Sequence, residues 1–255
     1  MGQSALVMRS PTLYAVHYSP WSRRALWSLE HHKISFRYRE HTPMLGELLL
    51  RGVARRGKHR GTVSVPMLVL SDAVLTDSLE IMRYADAHGS APSLRTDQPE
   101  VAQWFERLEP AYDAGRRRVT QRVLQRPAAL QEAAAASVPT FLAGPARPVA
   151  AMGARFIAKK YGFDAAGDTP PDALITGLDA VQHALSDGYL VGDRLSAADI
   201  AAACLLGAIR PHPSVGLGPA LTSAWTEPDL EQRYGDLLAW RDALIATHIS
   251  ACAIH

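Results

Sequence analysis

The segment Leu13–Glu30, Leu-Tyr-Ala-Val-His-Tyr-Ser-Pro-Trp-Ser-Arg-Arg-Ala-Leu-Trp-Ser-Leu-Glu, admits few local folds. Leu13 to Val16 is a short apolar run of the kind that forms a buried strand. Ser19 suits an N-cap, and Pro20 suits the first helical position, where a missing N–H costs nothing. Ala25, Leu26 and Leu29 then give the helix an apolar face, interrupted by Arg23, Arg24 and Glu30. A strand therefore runs through a tight turn into a helix, and a hydroxyl sits where orphan N–H groups and the positive end of the helix dipole converge. Anions bind at such places, thiolates included. A cap alone would explain Ser19 equally well, so the rest of the chain must decide.

The composition narrows the classes. Apolar residues make up 47% and charged ones 20%, which fits an ordinary soluble globular chain with a core. Its 255 residues suit one large or two small domains. A net charge of only +2 gives no field that would draw nucleic acid or membrane as a partner. Cys204 and Cys252 form no C-x-x-C pair, so neither a disulfide framework nor a zinc site is expected, and a reducing cytoplasm is the simpler home. No apolar run is long enough to span a bilayer, and Met1 to Pro11 reads as a loose arm without a signal-peptide core.

Along the chain, Ile34–Arg39 alternates as a half-buried strand. Leu45, Leu48, Leu49 and Val53 could line a short helix, followed by a basic stretch from Arg51 to Arg60 that reads mainly as solvated. Val63–Leu70 reads as a strand carrying Pro66, which should sit at an edge, a strand start or a bulge. Ser71-Asp72 reads as a hairpin turn and Ala73–Leu75 as the returning strand. Asp77 or Ser78 then caps a helix through Leu79, Ile81, Met82 and Ala85.

After a linker at His88–Gln98 the strand signal largely vanishes. Asp97 with Glu100 is spaced as a capping box for a long helix through Trp104, Leu108 and Tyr112, which Pro110 should bend. Arg116, Arg117, Arg118, Arg122 and Arg126 read as its solvated face. One or two helices are expected in Gln131–Lys160, another from Pro170 or Pro171 through Leu185, and a last one from Pro228 to Thr247. Ser196 and Asp199 make a capping box for a helix, Ala201–Leu206, that is apolar all round and hence buried.

Ser19-Pro20, Val65-Pro66 and Asp77-Ser78, in this order and spacing, resemble the N-terminal domain of cytosolic glutathione transferases. Gly192-Asp193-Arg194-Leu195-Ser196-Ala197-Ala198-Asp199 is similar to the capping box of that family's C-terminal domain. The resemblance implies a thioredoxin-like α/β N-terminal domain over residues 12–89, and an all-α C-terminal domain over 98–255. It implies a glutathione transferase that uses glutathione as co-substrate, without a metal, as a cytoplasmic homodimer. The thiol would be activated for attack on a small hydrophobic electrophile. The alternative is a binding or regulatory protein of the same fold with little turnover.

Carried over residue by residue, Ser19 would hydrogen-bond the glutathione sulfur and favour its thiolate. The Val65 backbone would pair with the cysteinyl part, with Pro66 as a cis proline. Asp77 and Ser78 would take the γ-glutamyl end. Lys58 is the candidate for the glycyl carboxylate. Trp21, near the proposed sulfur, together with Tyr112 and Arg116, four residues apart on one helix face, would line a second-substrate pocket. With Ser19 and Ser22 where omega-like relatives carry cysteine, disulfide exchange by the protein itself is not available. Tyr18 reads as core packing.

Overall fold

The computed structural model describes residues 10–42, 46–57, 60–61, 63–137, 172–185 and 188–248. Contacts divide the chain into an N-terminal unit ending at Pro92 and a second unit beginning at Ser93. The N-terminal unit runs β1 (Thr12–Ala15), α1 (Pro20–His31), β2 (Arg37–Glu40), α2 (Glu47–Arg56), β3 (Met67–Val69), β4 (Val74–Leu75) and α3 (Ser78–His88).

The strands form one sheet in the order β2-β1-β3-β4. β1 pairs with β2 in parallel, Ala15 facing Glu40, and with β3 antiparallel, Tyr14 facing Met67. The two-residue alternation of β1 sends Leu13 and Ala15 to one face, where Ala25, Leu26 and Leu29 of α1 and Ile81 and Ala85 of α3 cover them. Met67 belongs to the other core, where Leu50 and Ala54 of α2 pack with Tyr14, Val65 and Val69. This is the expected thioredoxin-like arrangement, with helices on both faces of a mixed sheet.

Three details differ from the sequence reading. The strand expected over Val63–Leu70 forms only over Met67–Val69, beginning just after Pro66. The strand expected over Ile34–Arg39 forms over Arg37–Glu40. Lys33 takes a left-handed φ of 55°. The Ile34 N–H then donates to the Leu29 carbonyl and the Lys33 N–H to Glu30, a helix-ending motif that consumes the residues just before the strand. On α2 the buried positions are Leu50 and Ala54, whereas Leu48 and Leu49 are 82% and 64% exposed. Leu45 lies outside the described residues.

The second unit is helical: α4 (Pro99–Leu124), α5 (Pro127–Ser137), α6 (Ala173–Ala184), α7 (Ala197–Leu205), α8 (Pro219–Trp225), α9 (Pro228–Arg233) and α10 (Gly235–His248). The helix expected from Pro228 to Thr247 is thus two, parted at Tyr234. The helices expected over Gln131–Lys160 fall largely outside the described residues. The Asp97–Glu100 capping box does not form. Gln98 precedes a proline and is held extended, so it is the N-cap, without a side-chain cap bond, and Pro99 opens the helix. α4 continues through Pro110.

The Ser196–Asp199 box is present, and Ala197 to Ala203 with Leu205 are buried. Arg118 and Arg122 of α4 are not a solvated face. Arg118 and Arg122 both clasp Glu227, and Arg122 also donates to the carbonyls of Ala224 (3.0 Å), Ala208 (3.2 Å) and Trp225 (2.7 Å). Arg126 donates to Ser223.

Candidate active site

Ser19 is the N-cap of α1, in extended conformation, but its side chain makes no capping hydrogen bond. The local work is done by other groups. The Ser19 N–H donates to the Val16 carbonyl (2.9 Å), and the Arg23 N–H closes the first helical turn on the Ser19 carbonyl (2.8 Å). The buried Ser22 hydroxyl accepts from the Val16 N–H at 3.2 Å. The turn is thus held by other groups, while the Ser19 hydroxyl makes no capping bond at this helix N-terminus.

The Val65–Pro66 peptide is cis, with Pro66 buried. Asp77 is the N-cap of α3, one carboxylate oxygen accepting from the N–H groups of Leu79 (2.9 Å) and Glu80 (3.0 Å). Ser78 lies behind it, 3% exposed, its hydroxyl without a hydrogen-bond partner among the described residues. Asp77 is therefore the cap, and Ser78 is a buried donor.

The topology explains why these segments meet. β1 ends at Ala15 and leads into the Ser19 turn. β3 runs antiparallel to it, so Val65-Pro66, just before β3, lies at that same end of the sheet. β4 runs back antiparallel to β3, Leu75 facing Leu68, and delivers Asp77-Ser78 there as well. Two helix N-termini, a cis-proline bend and three polar side chains share one sheet end. In open α/β sheets ligands bind at the carboxyl ends of parallel strands.

A cluster that the sequence reading missed stands at the same end. Glu40, the last residue of β2, holds His17 Nδ1 at 2.9 Å on one oxygen and accepts the Tyr38 hydroxyl on the other. Tyr38 and Glu40 share a strand face at a spacing of two, which the sequence could have revealed. The partnership with His17 depends on the β1–β2 register and could not be read from spacing. Burial pushes Glu40 upward, but hydrogen bonds from His17 and Tyr38 outweigh it and leave the carboxyl below its ordinary value. Burial, with Glu40 adding, pushes the Tyr18 phenol up to about 12, so Tyr18 is a neutral packing group.

The remaining candidates lie as follows. Trp21 is half-buried in the first turn of α1. Tyr112 is 1% exposed and its hydroxyl donates to the Ala201 carbonyl at 2.6 Å, within the helical unit. Arg116 pairs with Asp113. Lys58 lies outside the described residues. Among the described residues no group of three or more His, Cys, Asp or Glu is placed to hold a metal ion, and no helix is long and apolar enough to cross a membrane.

Residues 18–88 match the family model described as the glutathione S-transferase N-terminal domain, and residues 171–243 match that of the C-terminal domain. The chain belongs to the glutathione transferase family. Solved structures share its fold at low identity. A glutathione transferase from Phanerochaete chrysosporium is 14% identical, with 97% of this chain and 99% of that one covered and a TM-score of 0.58. Glutathione S-transferase I from maize, in complex with an atrazine–glutathione conjugate, is 19% identical over 93% of each chain at a TM-score of 0.56. A glutathione S-transferase from Methylobacterium radiotolerans, in complex with glutathione sulfonate, is 18% identical over 93% of this chain and 91% of that one, also at 0.56. No curated protein matches the sequence.

Proposed function

We propose that the protein is a glutathione transferase whose Ser19 hydroxyl donates to the glutathione sulfur and stabilises its thiolate. The observation that carries the reading is the hydroxyl at the α1 N-cap that makes no capping bond, in a turn that other groups already hold. A free thiol titrates near about 8.5, and lowering that by two units requires about 2.7 kcal/mol of preference for the anion. A hydrogen bond to a charged partner contributes about 1.5–3 kcal/mol, and a helix N-terminus about 0.3–1 kcal/mol. The two together match the requirement.

The Val65 backbone beside Pro66 is proposed to pair with the cysteinyl segment. Asp77 would face the γ-glutamyl ammonium. The Ser78 hydroxyl, buried and unpartnered among the described residues, would donate to the α-carboxylate beside the α3 N-terminus. Lys58 keeps its proposed role at the glycyl carboxylate. Trp21, half-buried beside the Ser19 turn, keeps its role toward a small hydrophobic electrophile, whereas Tyr112, buried with its hydroxyl on the Ala201 carbonyl, does not line a pocket, and Arg116, paired with Asp113, carries no such role here. A cytoplasmic homodimer is the form expected of the family.

The test is conjugation of a generic aryl halide by the parent and by Ser19→Ala, with calorimetry of glutathione binding. The expected result is a loss of turnover of about tenfold to a hundredfold, corresponding to about 1.4–2.7 kcal/mol for the hydroxyl's share, with affinity within a few-fold. An alanine variant as active as the parent refutes the role of Ser19. Binding without turnover in the parent favours a binding or regulatory protein.

A further inference from the structure

A hydroxyl can donate to a thiolate but leaves open where the thiol proton goes. The turn that carries Ser19 holds a second polar group. Val16 to Ser19 is one four-residue turn, closed by the Ser19 N–H on the Val16 carbonyl, so His17 and Ser19 are near neighbours. His17 Nδ1 lies 2.9 Å from Glu40 Oε1, and the His17 backbone N–H donates to the same oxygen at 3.3 Å. The other oxygen of Glu40 accepts the Tyr38 hydroxyl. A carboxylate only accepts, so the Nδ1 that faces it carries a proton, and in the neutral ring the lone pair is then on Nε2. Ala15 pairs with Glu40, so this dyad stands at the carboxyl ends of two parallel strands, on the ligand side of the sheet. The His17 side chain is 30% exposed there.

The Tyr18 ring meets the imidazole edge-on at 5.0 Å, Glu40 and Tyr38 lie on β2, and the charge of Arg23 reaches Tyr38. Tyr18 and Tyr38 are both pushed up and stay neutral, and Glu40 is held below its ordinary value and stays ionised. Of this set, the imidazole is the group that offers a nitrogen lone pair to a proton.

We propose that His17, oriented by Glu40, is the base that receives the thiol proton of the bound substrate; this rests on the transferase reading above. The S–H bond breaks, its electron pair stays on sulfur, and the proton bonds to Nε2. The result is an imidazolium–thiolate pair, with Glu40 balancing the imidazolium and the Ser19 hydroxyl donating to sulfur. When sulfur attacks the electrophile, its pair forms the C–S bond, the leaving group departs with the pair of the broken bond, and the imidazolium releases its proton to solvent. His17 is thereby a catalytic residue and Glu40 a positioning one.

The test reads the ultraviolet absorbance of the bound thiolate against pH in the parent, His17→Asn and Glu40→Gln, with calorimetry alongside. Asparagine keeps a donor toward Glu40 but has no Nε2 base. In His17→Asn the thiolate midpoint should rise by about one unit toward the free-thiol value. The kcat/KM at pH 6.5 should fall at least about tenfold, with the deficit closing by about pH 9 and affinity within about threefold. Glu40→Gln leaves the imidazole in place and should lower the thiolate fraction at pH 7 in the same direction. It decides the matter if His17→Asn disturbs the turn. Parent-like midpoints and pH profiles with intact binding overturn the role of His17 and leave the transferase reading standing. A parent protein that binds no glutathione overturns both.

Discussion

Replacing Asp199 by alanine should cost the protein about 3 kcal/mol. The Asp199 carboxylate is fully buried and accepts from the Leu190 N–H at 2.7 Å, the Ser196 N–H at 2.8 Å and the Ser196 hydroxyl at 2.6 Å. Alanine leaves all three without their acceptor, at about 1–3 kcal/mol for each buried orphan. Against that, the variant no longer buries a charge, which returns part of the loss. The net of about 3 kcal/mol lowers the melting temperature by about 6–12 °C, at about 2–4 °C per kcal/mol for a chain of this size. Ser196→Ala, which removes one cap acceptor, should cost only about 1 kcal/mol. Burial raises the Asp199 pKa against the pull of its hydrogen bonds. A raised folded value means stability is fully present below the unfolded value of about 3.8–3.9 and is lost as pH rises through the folded one. The advantage of the parent over Asp199→Asn should therefore shrink as pH rises across that window. Urea unfolding of the three variants at pH 4 to 7 checks this. An Asp199→Ala loss below about 1 kcal/mol, or equal to that of Ser196→Ala, would refute the assignment of the box as the organiser of this loop and helix.

Glu227→Gln should destabilise by about 2 kcal/mol in urea, because Arg118 and Arg122 lose their shared charge, discounted for the partial exposure of Arg118. Burial pushes Glu227 up, but the two arginines hold it below 4.5, so its contribution is present above that pH and fades as pH falls through the folded value. A variant as stable as the parent at pH 6 contradicts this. Buried His32, whose Nε2 meets Asp86 at 2.8 Å, is lowered from 6.5 by burial and by His31. Stability should therefore fall as pH drops below about 6.5, and His32→Gln should flatten that slope in thermal melts. Asp77→Ala should cost about 1 kcal/mol through the lost cap and raise the Michaelis constant for glutathione more than it lowers turnover. An unchanged constant would move the γ-glutamyl site elsewhere.

What the sequence revealed follows the range of the interactions. The Ser196–Asp199 box spans three residues, and Ser19-Pro20 is a contiguous pair, so both were legible as local chemistry. The N-cap of α4 misled because Asp97–Glu100 has the right spacing, yet Pro99 forces Gln98 out of helical geometry. The arginines of α4 looked solvated because Glu227 lies more than a hundred residues further along the chain. The exposure of Leu48 and Leu49 followed from which turn of α2 faces the sheet, and four apolar residues in a short helix leave that phase open. His17 and Glu40 are 23 residues apart and meet only through the parallel register of β1 and β2.

Under the transferase reading, the sheet end divides recognition from chemistry. A bare thiol would meet only Ser19, the α1 N-terminus and the His17–Glu40 dyad, and would gain little binding from them. The tripeptide adds an extended segment for the Val65 backbone, and an α-ammonium and α-carboxylate for Asp77 and Ser78. In that reading these contacts lie just before β3 and at the start of α3, whereas the sulfur would be served from the turn between β1 and α1 and from the end of β2. Binding energy gained at the γ-glutamyl end holds the sulfur in place without itself contributing to proton transfer, and so acts through proximity. The Asp77 carboxylate is suited to that task because one oxygen is already anchored by two N–H groups of α3. In the proposed reading the cap would fix the position of the charge that meets the ammonium, so the residue that starts the helix would also set the register of the ligand.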